Sequence, residues 1–243
     1  MAENKPDTVP GLGFKDKEKA QETIKILEGR DPDYQKLAIK GLIGRAKRTL
    51  TLTKDKDKLQ NINDALAIFE EWLKNFEYDN RSKENRAYLP CSTIQLLLPL
   101  KEKFEIKDEK ADAFFNAYKT KAKGEYKNLR TIASGDDEPT WDIVRNTELK
   151  KLLKELDESR PDLWKDDLPT KEHLQLILWA YSPDANKIKK SLSLFEEKLG
   201  APKNSDKSES DEDDEDSDKK PSKRKSSGED EDEESPKKKS KND

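Results

Sequence analysis

The chain has one cysteine, one histidine and no long apolar run. Each scarcity excludes something. A lone Cys91 cannot form an internal disulfide, which fits a reducing compartment. A structural zinc site needs about four Cys or His ligands, and Cys91 with His173 falls short; no metal and no cofactor are expected. Cys91 reads as a small buried apolar residue and His173 as a helix-surface or boundary side chain. A Cys91–His173 nucleophile pair has no local signature behind it. No apolar stretch approaches the roughly 18 residues needed to span a bilayer. The opening Met-Ala-Glu-Asn-Lys-Pro-Asp has no apolar signal region, and no lipidation box is evident. No Gly-rich phosphate loop follows a strand-like segment. Together these absences predict a soluble protein that is not an enzyme.

The scarcest feature lies at the end. From Lys203 to Asp243 there is no residue of the set Ala, Val, Ile, Leu, Met, Phe, Trp, Tyr or Cys. Such a segment cannot bury enough surface to offset chain entropy, so residues 201–243 are predicted to be disordered. Residues 204–243 hold 16 acidic and 10 basic residues, a net −6, and the other 203 carry 39 basic and 37 acidic, a net +2. The body is therefore close to neutral, unlike a dedicated duplex binder.

What is present in the first 200 residues is helical periodicity. The pattern predicts an all-α, irregular bundle of about seven or eight helices. Residues 1–14 read as a flexible leader, 15–76 as an N-terminal helical subdomain, 77–107 as a connecting segment with a short helix, and 108–200 as a C-terminal helical subdomain. Ala20, Ile24 and Leu27 share a face of a first helix that Gly29 ends. Asp31-Pro32 starts a second, over 32–52, in which Gly41 and Gly44 leave room for a neighbouring helix. Leu59, Ile62, Leu66, Phe69, Leu73 and Phe76 form the clearest stripe. The same spacing suits a coiled coil, but two and a half heptads are few, and an internal core face is preferred. Ser92 or Thr93 is expected to cap a short helix interrupted at Pro99. Residues 120–140 read as a loop with a short extended piece at Tyr126, Leu129 and Ile132. Helices then follow over Ile143–Leu156, from a Thr170 cap to Tyr181, and from Asp184 to Leu199.

The tail carries the densest motifs. Lys219, Lys220, Lys223, Arg224 and Lys225, then Lys237, Lys238 and Lys239, resemble nuclear-import signals, which need cations on an extended chain to fit an import receptor's acidic groove. Ser208, Ser210, Ser226 and Ser227 each have an acid three residues on, as acidophilic kinases read. Ser235-Pro236 is a proline-directed site. A phosphate there adds about −1.5 to −2 charges beside a basic run.

In the body, Lys36, Lys40, Arg45, Lys47 and Arg48 make the second helix a candidate nucleic-acid contact, against the commoner solvated face. Trp72, Trp141, Trp164 and Trp179 are mostly expected as core anchors. Trp164, among polar neighbours, is the best candidate partner anchor. The reading is a nuclear adaptor that binds an unidentified protein partner, with a phosphorylatable tail. The alternative is a chromatin-associated factor touching histones or nucleic acid.

Overall fold

The computed structural model describes residues 8–200. They fall within a single compact unit, and the architecture is all-α, with nine α-helices among the described residues. No helix among them is long and apolar enough to cross a membrane.

The first three helices pack together. α1 (Lys17–Leu27) begins where the Asp16 carboxylate accepts the Lys19 N–H at 2.8 Å, an N-cap contributing about 1 kcal/mol. It buries Ala20, Thr23 and Leu27. α2 (Pro32–Leu52) starts on Pro32, whose missing N–H costs nothing in a first turn. α3 (Lys56–Tyr78) is capped by Asp55 and buries Ile62, Ala65, Leu66, Phe69 and Phe76. Its stripe is a core face against α1 and α2. Gly41 and Gly44 face open space: apart from adjoining residues of the helix, no atom of the described residues lies within 4 Å of where a side chain would begin.

Residues 9–14 are not a free leader. Val9 is buried, and its N–H donates to the Tyr34 hydroxyl at 3.0 Å. Thr23 Oγ1 accepts the Gly13 N–H and donates to the Gly13 carbonyl.

A second, larger hydrophobic cluster gathers residues from Leu89 to Phe195. α4 (Cys91–Lys103) contributes Ile94, Leu96, Leu97 and Leu100. It follows Pro90 directly, ahead of the expected Ser92 or Thr93 cap, and it runs through Pro99. Pro99 sits on the exposed side. Burial of four aliphatic side chains on the other side, about 1.5–3 kcal/mol each, outweighs the roughly 3 kcal/mol penalty of an internal proline. α5 (Glu109–Asn116) continues as a π-turn over Ala117–Lys121. Tyr126–Thr131 is a 3₁₀-helix rather than an extended piece; Leu129 is buried, and a turn places it inward where a strand would need a partner.

α6 (Trp141–Ser159) ends on Arg160 in the left-handed region, φ 46°. A hairpin then pairs Trp164–Lys165 with Leu168–Pro169. Its two turn residues, Asp166 and Asp167, have φ of 52° and 62°. Positive φ at both central positions is the primed turn that matches strand twist, and Asp tolerates it. α7 (Lys171–Leu178) packs on α4, α5 and α6. The last helix is two: α8 (Ala185–Lys190) and α9 (Leu192–Leu199). At Ser191 the N–H is shared between the Lys187 and Ile188 carbonyls, and this tightened turn breaks the helix while Ile188 and Phe195 both stay buried.

Candidate functional site

The site forms where the start of α2 meets the start of α6. Gly29, at φ 75°, joins α1 to α2, and a side chain there would meet Ile143 Cγ2 at 3.1 Å. The absence of a Cβ lets the α1–α2 corner lie against α6 and brings four charged residues out of solvent: Arg30, Asp31, Asp142 and Arg145. Buried charges need partners. Arg30 pairs with Asp142 at 2.8 Å and also donates to the carbonyls of Ile26 and Arg130 and to Thr140 Oγ1. Asp142 accepts a second bond, from Thr140 Oγ1 at 2.5 Å.

Arg145 is the hub. Its Nε donates to the Trp179 carbonyl at 2.9 Å, and Nη2 to the carbonyls of Ala180 and Arg86, each at 3.1 Å. The first two are carbonyls at the end of α7, where helices leave acceptors unpaired and cations are favoured. Ala180, at φ 54°, turns the chain so that its carbonyl also receives the Leu89 N–H. Such a conformation is costly for a residue with a Cβ, and persists where the surroundings over-determine it. Arg145 reaches Asp31 at 3.8 Å and lies 3.5 Å from the Tyr88 ring centroid. The Asp31 carboxyl is pushed above its ordinary range by desolvation, with Arg145 and a hydrogen bond from Asn146 opposing.

Above this network opens a pocket of about 290 Å³, with Asp31, Tyr34, Arg86, Tyr88, Tyr126 and Arg130 in its lining. Tyr88 and Tyr126 stack, centroids 4.9 Å apart. The Arg130 guanidinium lies 4.0 Å from the Tyr34 centroid and 5.6 Å from that of Tyr126. The Tyr88 hydroxyl and Arg130 Nε are buried with no hydrogen-bond partner among the described residues.

A second cavity, about 420 Å³, runs between α5, the 134–139 turn and α6. Ala113, Pro139, Trp141 and Val144 make it apolar, and Glu109, Glu138 and Glu148 stand among its lining residues with Lys110. Trp141 is buried, and its indole N–H has no acceptor among the described residues.

The sequence-derived candidates fall elsewhere. Lys36 and Lys40 reach Glu77 at 3.3 and 3.8 Å, and Lys47 reaches Glu70 at 2.8 Å. Arg45 lies over the Phe14 ring. Arg48 is exposed on the same helix. Three of the five cations thus lean on α3 acids. Trp164 is half-buried: it donates to Asp184 Oδ2 at 2.8 Å, meets His173 edge-on and carries Lys187 Nζ 4.0 Å from its ring centroid.

His173, in the first turn of α7, is fully buried rather than a surface or boundary side chain. Its two ring nitrogens are matched, Nδ1 with the Leu163 carbonyl at 3.0 Å and Nε2 with Ser182 Oγ at 2.8 Å. Neither nitrogen is left for Cys91, whose thiol burial pushes up to about 12. No cluster of metal-ligating side chains occurs among the described residues. The import clusters and the serines at 208, 210, 226, 227 and 235 lie outside the described residues.

The charged hub was missed, although a signal existed. Arg145 sits on the same α6 stripe as Trp141, Leu149 and Leu152, spaced 4, 4 and 3, so a cation interrupts an apolar face. The chain matches no protein-family model and no curated protein.

Proposed function

We propose that this chain is a nuclear adaptor without catalytic activity, whose helical body docks a segment of a partner protein and whose tail directs import and carries regulatory phosphates. The observation that supports docking is the Trp141 groove. A buried indole N–H without an acceptor costs about 1–3 kcal/mol, and a peptide carbonyl is a fitting acceptor. The apolar walls suit one aliphatic anchor. Glu109, Glu138 and Glu148 against Lys110 leave an acidic balance, so the matching partner segment carries Lys or Arg on either side of that anchor. Basic, chromatin-associated proteins supply such segments. A nucleic-acid role through α2 draws less support, because Lys36, Lys40 and Lys47 already face acids.

The docking test is direct. A labelled peptide with one Leu between Lys pairs is titrated into the full chain and followed by anisotropy. Saturable binding that Val144→Asp abolishes, and that an otherwise identical Glu-flanked peptide lacks, is expected. Equal binding of both peptides, or indifference to Val144→Asp, would remove the groove from the reading. For import, a tagged full chain is expected in the nucleus, with Lys223, Arg224 and Lys225 changed together to Ala moving it to the cytoplasm. No movement defeats the import signal.

A further inference from the structure

The tyrosine-lined pocket beside α2 has chemistry the adaptor reading does not use. The Arg130 guanidinium lies near the rings of Tyr34 and Tyr126, yet its Nε is buried with no hydrogen-bond partner among the described residues. The two acids nearest by lining, Asp31 and Asp33, make no ion pair with it. Asp31 is held chiefly by Arg145 and Asn146, with a weaker attraction to Arg130. A half-buried guanidinium with a buried N–H short of an acceptor is costly, and the usual remedy is a counter-ion. The two rings flank the guanidinium, whose fork suits a planar acceptor. Arg86 lines the same pocket, and the Tyr88 hydroxyl is a further donor without a partner.

Charge decides which anion fits. Arg30, Arg86, Arg130 and Arg145 stand against Asp31, Asp33 and Asp142, a balance of +1. One negative charge neutralises the site; a dianion overshoots it and meets Asp31 and Asp33. A carboxylate is singly charged, planar and matched to two parallel N–H donors of an arginine. We infer that this pocket binds a carboxylate, held by the Arg130 fork with Arg86 and the Tyr88 hydroxyl as supporting donors. The volume, about 290 Å³, admits either a small organic acid or the end of a peptide.

The test follows the arginine Nε–H signals of the ¹⁵N-labelled full chain, with Arg130 assigned by its loss in Arg130→Lys. Probes are sodium benzoate for a small acid, Gly-Gly-Phe with a free or an amidated C-terminus for a peptide end, inorganic phosphate for a dianion, and sodium chloride for ionic strength. Saturable movement of the Arg130 signal by benzoate or by the free-acid peptide is expected, and whichever acts names the source. Arg130→Lys, which keeps the charge and loses the fork, is expected to weaken binding about tenfold or more. Tyr88→Phe removes only a hydroxyl, keeps the core, and is expected to weaken it by a smaller factor. Movement matched by chloride, no movement with either carboxylate, equal binding of the amide, or tighter binding of phosphate would each overturn the inference.

Discussion

Arg30 and Asp142, 112 residues apart in sequence, meet at 2.8 Å with almost no access to water. The pair ties the corner between α1 and α2 to the first turn of α6. Its energetic meaning is asymmetric: forming a buried pair gains little over apolar packing, but breaking one strands a charge.

Arg30→Met is therefore expected to cost about 3–5 kcal/mol of stability. Adding Asp142→Leu to that variant should recover much of the loss, because the stranded carboxylate is gone. Urea denaturation of the two variants and the parent measures both effects. A double variant less stable than Arg30→Met alone would contradict the account.

Gly29 and Gly44 are expected to respond in opposite directions to alanine. At Gly29 the backbone is left-handed and a Cβ meets Ile143, so Gly29→Ala should destabilise by about 1–2 kcal/mol. At Gly44 the helix is regular and the space empty, so Gly44→Ala should stabilise by up to about 1 kcal/mol. Paired melting curves decide it, and a loss of stability in Gly44→Ala would mean the open face is not open in solution.

His173 makes stability pH-dependent. Desolvation by burial lowers its folded pKa below the ordinary value of about 6.5, with the hydrogen bond to the Leu163 carbonyl opposing. Between the folded and unfolded values the unfolded chain binds a proton that the native chain refuses. Stability from this group is thus full above pH about 6.5, falls as pH drops through that window, and levels off below the folded pKa. Denaturation midpoints across pH 5–8 should show this slope, and His173→Gln should flatten it.

Cys91 is expected to be a sluggish nucleophile. With its thiol pushed up to about 12 by burial, little thiolate exists near neutrality. Iodoacetamide should label the native chain far more slowly than the urea-unfolded chain. Equal rates would show the thiol to be freely exposed.

The long elements were legible because their periodicity was long. α2 and α3 carry 21 and 23 residues, enough for a stripe and a start signal to agree. The missed features were local or long-range. Pro99 reads as a breaker unless the burial of Leu96, Leu97 and Leu100 is known. The break at Ser191 leaves the Ile188, Phe195 spacing intact. Asp166-Asp167 is a turn signal overlooked because so many acids surround it. Arg145 interrupts the apolar α6 stripe, but its partners come from residues 86, 179 and 180, and the stripe alone does not say which carbonyls meet it. The two cavities likewise join segments distant in the chain.

Tyr34 serves two neighbours at once. Its hydroxyl holds the backbone of Val9, and its ring lies under Arg130. A ligand gripped by the guanidinium therefore bears on the same side chain that holds Val9. Occupancy of the pocket should then register as altered protease resistance around residue 9, one hydrogen bond away from a side chain of the pocket's lining.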